Sequence, residues 1–293
     1  KINELRINPA SLDGLGCVWS NNLKSSPIKQ QGLNGVGGQV TDLSRYRKGE
    51  WWNEGLQEGL DIGNLLLESF SKIGVKPRTF VLCNDVISTA KALAHSDAGM
   101  VASTGANTTI IPVGSKTLCN SECGSLLSIM EPIIGVPDII NSSEAKIEDL
   151  IAGAGLGPRF SSYILAGARA GVEGLKHMKE QLEEEISCKV FRYTEKDLSR
   201  LLDPSGNFDT FLEGRKESCY GRDTLDALRS IASALAYRAG SLAAVPAYTS
   251  VANQVESGKH LRIALDSSQA RYIPGYLGTM QETLDWIMSQ YEA

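Results

Sequence analysis

Asn84 and Asp85 close a short apolar run, Thr79-Phe80-Val81-Leu82-Cys83. A carboxylate placed there can take the proton of a hydroxyl, and the neighbouring amide can both donate to and accept from a second hydroxyl. The same pair can instead cap a helix, as Asn and Asp commonly do at strand-to-helix junctions, and taken alone that is the favoured reading. Two more polar clusters follow apolar runs: Ser103-Thr104-Gly105 after Met100-Val101-Ala102, and Asp266-Ser267-Ser268 after Leu261 to Leu265. Ligands of α/β sheets gather at strand ends, where loops meet a crevice. The three clusters together predict a cleft enzyme.

Other chemistries are poorly served. Cys119 and Cys123 are four apart, but no second Cys/His pair stands at ligand spacing, so a zinc site is not expected and buried free thiols are. The six cysteines, spread over 293 residues, suggest a reducing compartment rather than a disulfide scaffold. His95, His177 and His260 lie in separate contexts with no Ser, Cys or His partner, which argues against His-based nucleophilic catalysis. The formal charge, 29 − 34 = −5, argues against a nucleic-acid partner while leaving room for a single nucleotide. No apolar run approaches the length of a membrane span.

The elements that must position these clusters follow from periodicity. Residues 1 to 55 read as short strands and loops, with Gly35, Gly37 and Gly38 as a turn. Leu56, Leu60, Leu66, Leu67 and Phe70 predict a helix from Gly55 to Ile73, stopped by Gly74. A strand over Thr79 to Cys83, a helix over Ser88 to Ala94 and a hairpin of Met100–Ala102 with Thr108–Val113 follow. Long helices are expected over Phe160 to Leu182 and Thr224 to Val245, the second nearly apolar on all sides and so expected to be buried. Glu195 to Tyr220 reads as a short helix with a surface loop, Leu261 to Leu265 as a strand, and Met280 to Ile287 as an amphipathic helix. Helices packed on a sheet in an α/β fold are the expected class.

Five segments, in order, resemble the motifs of eukaryotic hexokinases and glucokinases. Leu82-Cys83-Asn84-Asp85-Val86-Ile87-Ser88-Thr89 resembles their strand-Asn-Asp-Thr segment, and Gly99 to Asn107 their second phosphate motif. Asn120-Ser121-Glu122-Cys123-Gly124 is similar to the Asn-x-Glu-x-Gly sugar loop, and Ile147 to Gly153 to the segment with a second sugar-binding Glu. Ile263-Ala264-Leu265-Asp266-Ser267-Ser268 resembles the late strand and turn on the nucleotide side. Trp19-Ser20-Asn21-Asn22 resembles Trp-Thr-Lys-Gly, with Asn21 where that family has a sugar-binding Lys.

The resemblance implies the two-lobed actin-like ATPase fold (ribonuclease H-like), with residues 1–83 in the smaller lobe and cleft edge and 84–293 in the larger lobe. It implies transfer of the ATP γ-phosphate to the 6-hydroxyl of glucose or a related hexose, with Mg²⁺ as counter-ion. Asp85 would be the general base. Asn84, Glu122, Glu148, Asn120, Ser20 and Asn21 would hold the sugar. Ser103, Thr104, Gly105, Asp266, Ser267 and Ser268 would hold the nucleotide, and no protein-only metal site is implied. The compartment implied is the cytoplasm, with an organellar assembly as the alternative.

Departures from the family pattern are specific. Val86 stands for a Thr, Ser103 for the first Gly of the phosphate turn, and Ile7 for the Ser of a Ser-Phe-Pro loop. Neither an Asp-x-Gly-Gly-Thr hairpin nor a late Gly-Ser-Gly-Lys-Gly-Ala segment occurs in these residues. Two expectations compete: part of a longer active hexokinase, or a degenerate hexokinase-like subunit with a sugar-binding, regulatory or scaffold role and a protein partner. Glu148-Asp149-Leu150-Ile151-Ala152-Gly153-Ala154-Gly155-Leu156 also resembles a stretch of bacterial glucokinases, a third class that includes acetyl-CoA-utilising relatives of the same superfold. The Asn120 loop and the Thr104-Gly105-Ala106-Asn107 turn fit the eukaryotic family better.

Overall fold

A computed structural model describes residues 12–20, 23–28, 33–41, 57–93, 95–121, 123, 146–213, 215, 220–255 and 260–290. The chain forms two compact units, Lys1–Ala92 and Leu93–Ala293.

In the first unit, β1 (Gly14–Trp19), β2 (Leu23–Pro27), β3 (Asn34–Val40) and β4 (Thr79–Asn84) form a sheet of order β1-β4-β3-β2. β4 runs parallel to both β1 and β3, and β2 is antiparallel to β3. Helix α1 (Ile62–Lys72) packs on it, burying Ile62 and Leu67 against Val40, Phe80 and Leu82. The expected helix from Gly55 begins only at Ile62, because Asp61 caps it by accepting from the Asn64 amide at 2.9 Å. Gly35, Gly37 and Gly38, expected as a turn, lie inside β3. Their small size serves close approach: a Cβ on Gly63 of α1 would stand 2.7 Å from the Gly37 Cα. Helix α2 (Asp85–Ala92) starts three residues before the expected Ser88.

In the second unit, β5 (Ala98–Ala102), β6 (Ala106–Ile110), β7 (Cys119–Asn120) and β8 (Ile263–Ser267) give the order β7-β6-β5-β8, with only β5 and β8 parallel. The β5–β6 hairpin appears as expected, but β6 ends at Ile110, two residues before Pro112, a residue that lacks the N–H a strand needs. Helices α3 (Ile147–Ile151) and α4 (Gly153–Arg169) follow. The single helix expected over Phe160–Leu182 is broken: Gly171 takes φ +83°, a short 3₁₀ turn covers Glu173–Met178, and α5 (Lys179–Cys188) resumes. Then come α6 (Glu195–Leu201), α7 (Asp209–Leu212), the 30-residue α8 (Arg222–Val251), α9 (Ser268–Tyr272) and α10 (Tyr276–Ser289). Helix α8 is the axis of this core, with Leu228, Ala232, Leu235, Ala236, Ala239 and Ala243 buried among residues of α4, α6 and α10. No helix among the described residues is long and apolar enough to cross a membrane.

Candidate functional site

In the first unit, pairing of Trp19 with Asn84 puts the carboxyl ends of β1 and β4 side by side, so Ser20 and Asp85 leave the sheet at the same edge. The Asn84 amide nitrogen donates to the Trp19 carbonyl at 3.4 Å, and its oxygen accepts from the Val86 amide at 3.0 Å. Asp85 Oδ1 accepts from the same Val86 amide at 2.8 Å. Asp85 therefore makes a capping contact at the start of α2. It begins a helix and satisfies one of its orphan N–H groups, while its half-buried carboxylate sits at a strand end. Asn84 is 8% exposed, so its side chain is fixed rather than surface-mobile. Asn21 lies outside the described residues.

In the second unit, one turn organises the site. Ser103-Thr104-Gly105 links β5 to β6, closed by the Ser103 amide donating to the Gly105 carbonyl at 2.8 Å. Its carbonyls in turn satisfy the start of α4: Gly153 donates to Ser103 O at 2.7 Å and Ala154 to Thr104 O at 3.2 Å. Helix α4 has no side-chain cap at Ala152, so the turn supplies what the capping residue does not. Parallel pairing of Ala102 with Ser267 brings the β8 cluster beside the same turn. Ser268 donates its amide to Ser103 Oγ at 3.5 Å, and Ser267 Oγ caps α9 through the Ala270 amide at 3.0 Å. Asp266 is exposed one residue before that cap.

Glu148 reaches this turn from α3. A Cβ added to Gly105 would stand 2.9 Å from Glu148 Oε2, so carboxylate and turn share one small space. Helix α3 is held by Asp149 Oδ2 accepting from the Lys146 amide at 2.9 Å and by buried Arg159 donating to the Asp149 carbonyl at 2.8 Å. The Asn120 segment is tied to β6: Asn107 donates to Asn120 Oδ1 at 2.6 Å, and the Thr108 and Ser121 hydroxyls lie 2.9 Å apart. Glu122 follows directly and lies outside the described residues. Ser103, Thr104, Gly105, Glu148, Asp266, Ser267 and Ser268 thus belong to the second unit, while Ser20, Asn84 and Asp85 belong to the first. No group of three His, Cys, Asp or Glu side chains at metal-binding spacing occurs among the described residues.

Sequence reasoning missed a cavity of about 390 Å³ lined by Glu195, Lys196, Ser199 and Arg200 of α6 and by Ser268, Gln269, Tyr272 and Ile273. It opens beside the Ser267-Ser268 turn. The available signal was the spacing of Glu195, Lys196, Ser199 and Arg200, one polar helical face after the Thr194 cap.

The sequence matches no protein-family model and no curated protein. Solved structures do match. One hexokinase structure is 20% identical, with a TM-score of 0.63 over 97% of this chain and 63% of that one. The hexokinase of Schistosoma mansoni complexed with glucose is 17% identical, with a TM-score of 0.67 over 97% of this chain and 66% of that one. The chain therefore spans slightly less than two thirds of these hexokinases and has their fold, the α/β actin-like ATPase fold.

Proposed function

We propose that this chain is the sugar- and nucleotide-handling part of a hexokinase-like kinase that passes the γ-phosphate of ATP to a hexose 6-hydroxyl. The observation that carries this reading is the apposition of Glu148 and Gly105. Phosphoryl transfer needs a sugar hydroxyl and a phosphate held within a few ångströms, and catalysis then rests on placement and charge stabilisation. A carboxylate accepts charge-assisted hydrogen bonds from ring hydroxyls, and a tight Gly-bearing turn lets phosphate oxygens approach the backbone. Here those two devices sit against each other.

The roles divide accordingly. Glu148, with Asn120 and Glu122, binds ring hydroxyls, and Asn84, Ser20 and Asn21 complete the sugar contacts. Asp85 takes the proton of the attacking hydroxyl. Thr104 and Gly105 face the transferred phosphate, and Ser103, Ser267 and Ser268 hold the nucleotide side. The residues present suit a nucleotide: the cavity beside Ser268 is lined by the cationic Lys196 and Arg200 and by Gln269, whose buried carboxamide oxygen has no bonding partner among the described residues. Mg²⁺ arriving with ATP would neutralise phosphate charge, with Asp266 the exposed carboxylate beside the turn.

Calorimetric titration of glucose into the wild type and into Glu148→Gln and Asp85→Asn tests the reading. Glucose should bind the wild type, bind Glu148→Gln more weakly, and bind Asp85→Asn without turnover. Equal heats in all three proteins would sink it. A second reading, a degenerate subunit that binds sugar without phosphorylating it, is favoured by Asn21 where the family has a cationic Lys. Turnover of glucose with Mg·ATP at an ordinary enzymatic rate, roughly 1–1000 per second, would refute that reading.

A further inference from the structure

Gln269 is 1% exposed, lies on the second residue of α9 and lines the cavity beside Ser268. Its Oε1 is buried and accepts no hydrogen bond among the described residues. Its Nε2 presses against the start of α4, where a Cβ on Gly153 would stand only 2.6 Å away. Buried polar groups are nearly always paired, because an orphan keeps its full desolvation cost. A buried, unpartnered acceptor on a residue that lines a largely apolar cavity is the arrangement of a site in which a few polar groups give orientation and selectivity. Of the residues lining this cavity, Gln269 alone offers a neutral donor and acceptor on one planar group.

We infer that Gln269 is the specificity-determining residue for the nucleotide base, its carboxamide pairing with the amino-bearing edge of adenine. The inference rests on the reading of this cavity as the nucleoside end of an ATP site. A carboxamide complements adenine's 6-amino donor and adjacent ring-nitrogen acceptor together. A 6-oxopurine presents two acceptors on the N7 edge, so one of the two bonds is lost and a polar atom stays unpaired. Because Oε1 has no partner among the described residues, the base draws the amide out of its slot against Gly153, and binding satisfies that oxygen.

The test compares Mg·ADP with Mg·IDP, which share phosphates and ribose and differ at position 6, by calorimetry on the full chain. The wild type is expected to prefer ADP by about tenfold or more, the scale of one well-made bidentate base contact. Gln269→Leu should abolish that preference by weakening ADP and leaving IDP within about threefold, while its melting temperature without ligand stays equal or rises, since the orphan is gone. Gln269→Glu, which keeps an acceptor, should retain a preference for ADP. If the wild type binds both nucleotides equally, or Gln269→Leu keeps the wild-type ratio, the inference falls and the nucleotide reading stands. If Gln269→Leu lowers the melting temperature and weakens both nucleotides alike, the amide is structural and the inference falls as well. Binding of neither nucleotide to the wild type would overturn both.

Discussion

Tyr276 donates its phenolic hydrogen to the carbonyl of Ile151 at 2.9 Å, joining residues 125 positions apart inside the second unit. Tyr276 is fully buried, and burial alone pushes its phenol well above the ordinary range, so it remains a donor at any pH the protein meets. The bond fixes the end of α3, the helix that carries Glu148, to the start of α10. Tyr276→Phe leaves a buried carbonyl short of a partner and should cost about 1–3 kcal/mol, read as a lower urea midpoint with an unchanged slope. An unchanged midpoint would show that α3 is anchored elsewhere.

Gly105→Ala isolates the position of the Glu148 carboxylate. The new methyl would meet Oε2 at 2.9 Å, and the carboxylate, at the end of a flexible side chain, can move aside. Fold stability should change by less than about 1 kcal/mol, whereas glucose affinity should fall about tenfold because the acceptor no longer stands beside the turn. Unaltered glucose binding in a folded variant would separate Glu148 from the sugar.

Asp85→Asn separates the helix-capping role of Asp85 from its proposed chemistry. The amide oxygen of Asn can still accept from the Val86 amide, which Asp85 Oδ1 binds at 2.8 Å, so stability should hold. The lost base should reduce turnover by about 10²–10⁴ with the glucose KM nearly constant. Asp85→Ala, which also loses the cap, should melt lower. If Asp85→Asn turns over normally, Asp85 is only a cap.

Thiol reactivity reports on the same strand end. Burial raises the pKa of the Cys83 thiol above the ordinary value; a hydrogen bond from Ser88 partly offsets this, and the Asp85 charge adds to it. Burial also raises Cys17, with a smaller contribution from Cys83. Both therefore stay protonated in the native state at pH values where unfolded chains begin to ionise. Stability they contribute is complete below the unfolded thiol range and declines as pH rises through it toward the native values. Labelling by iodoacetamide at pH 8, mapped by mass spectrometry, should be at least about tenfold slower at Cys17 and Cys83 than at exposed Cys188. Equal rates would mean the β1–β4 edge opens freely.

Much of this architecture could be read from the sequence where a local rule decides it. Thr79–Asn84 is a strand because its apolar run has few ways to bury itself, and Ser103-Thr104-Gly105 is a turn because Gly105 closes it. Positions governed by distant partners were harder. Gly37 looks like a turn residue until α1 is seen to press Gly63 against it. The break at Gly171 was hidden by apolar residues that keep helical spacing on both sides. The cavity on α6 depends on Gln269, more than 60 residues from Glu195, and no periodicity links the two.

Arg215 holds α6, the helix that supplies four of the cavity's lining residues. Its Nη2 donates to Asp197 Oδ1 at 2.7 Å, and its guanidinium lies 4.3 Å from the centre of the Phe211 ring. Asp197 is 3% exposed and spends its other oxygen on the Thr194 amide at 2.8 Å, so Arg215 is its close cation; Arg200 stands off at 3.9 Å. Arg215→Ala leaves a buried carboxylate underpaired and removes a stacking contact, which should cost about 3–5 kcal/mol in urea unfolding. Asp197→Asn placed in the same background should recover part of that loss, because a neutral amide still serves Thr194 without needing a cation. The melting of α6 should also weaken Mg·ADP binding in the single variant and restore it in the double. Equal stabilities of single and double variants would assign the loss to ring stacking alone and remove the buried charge from the account.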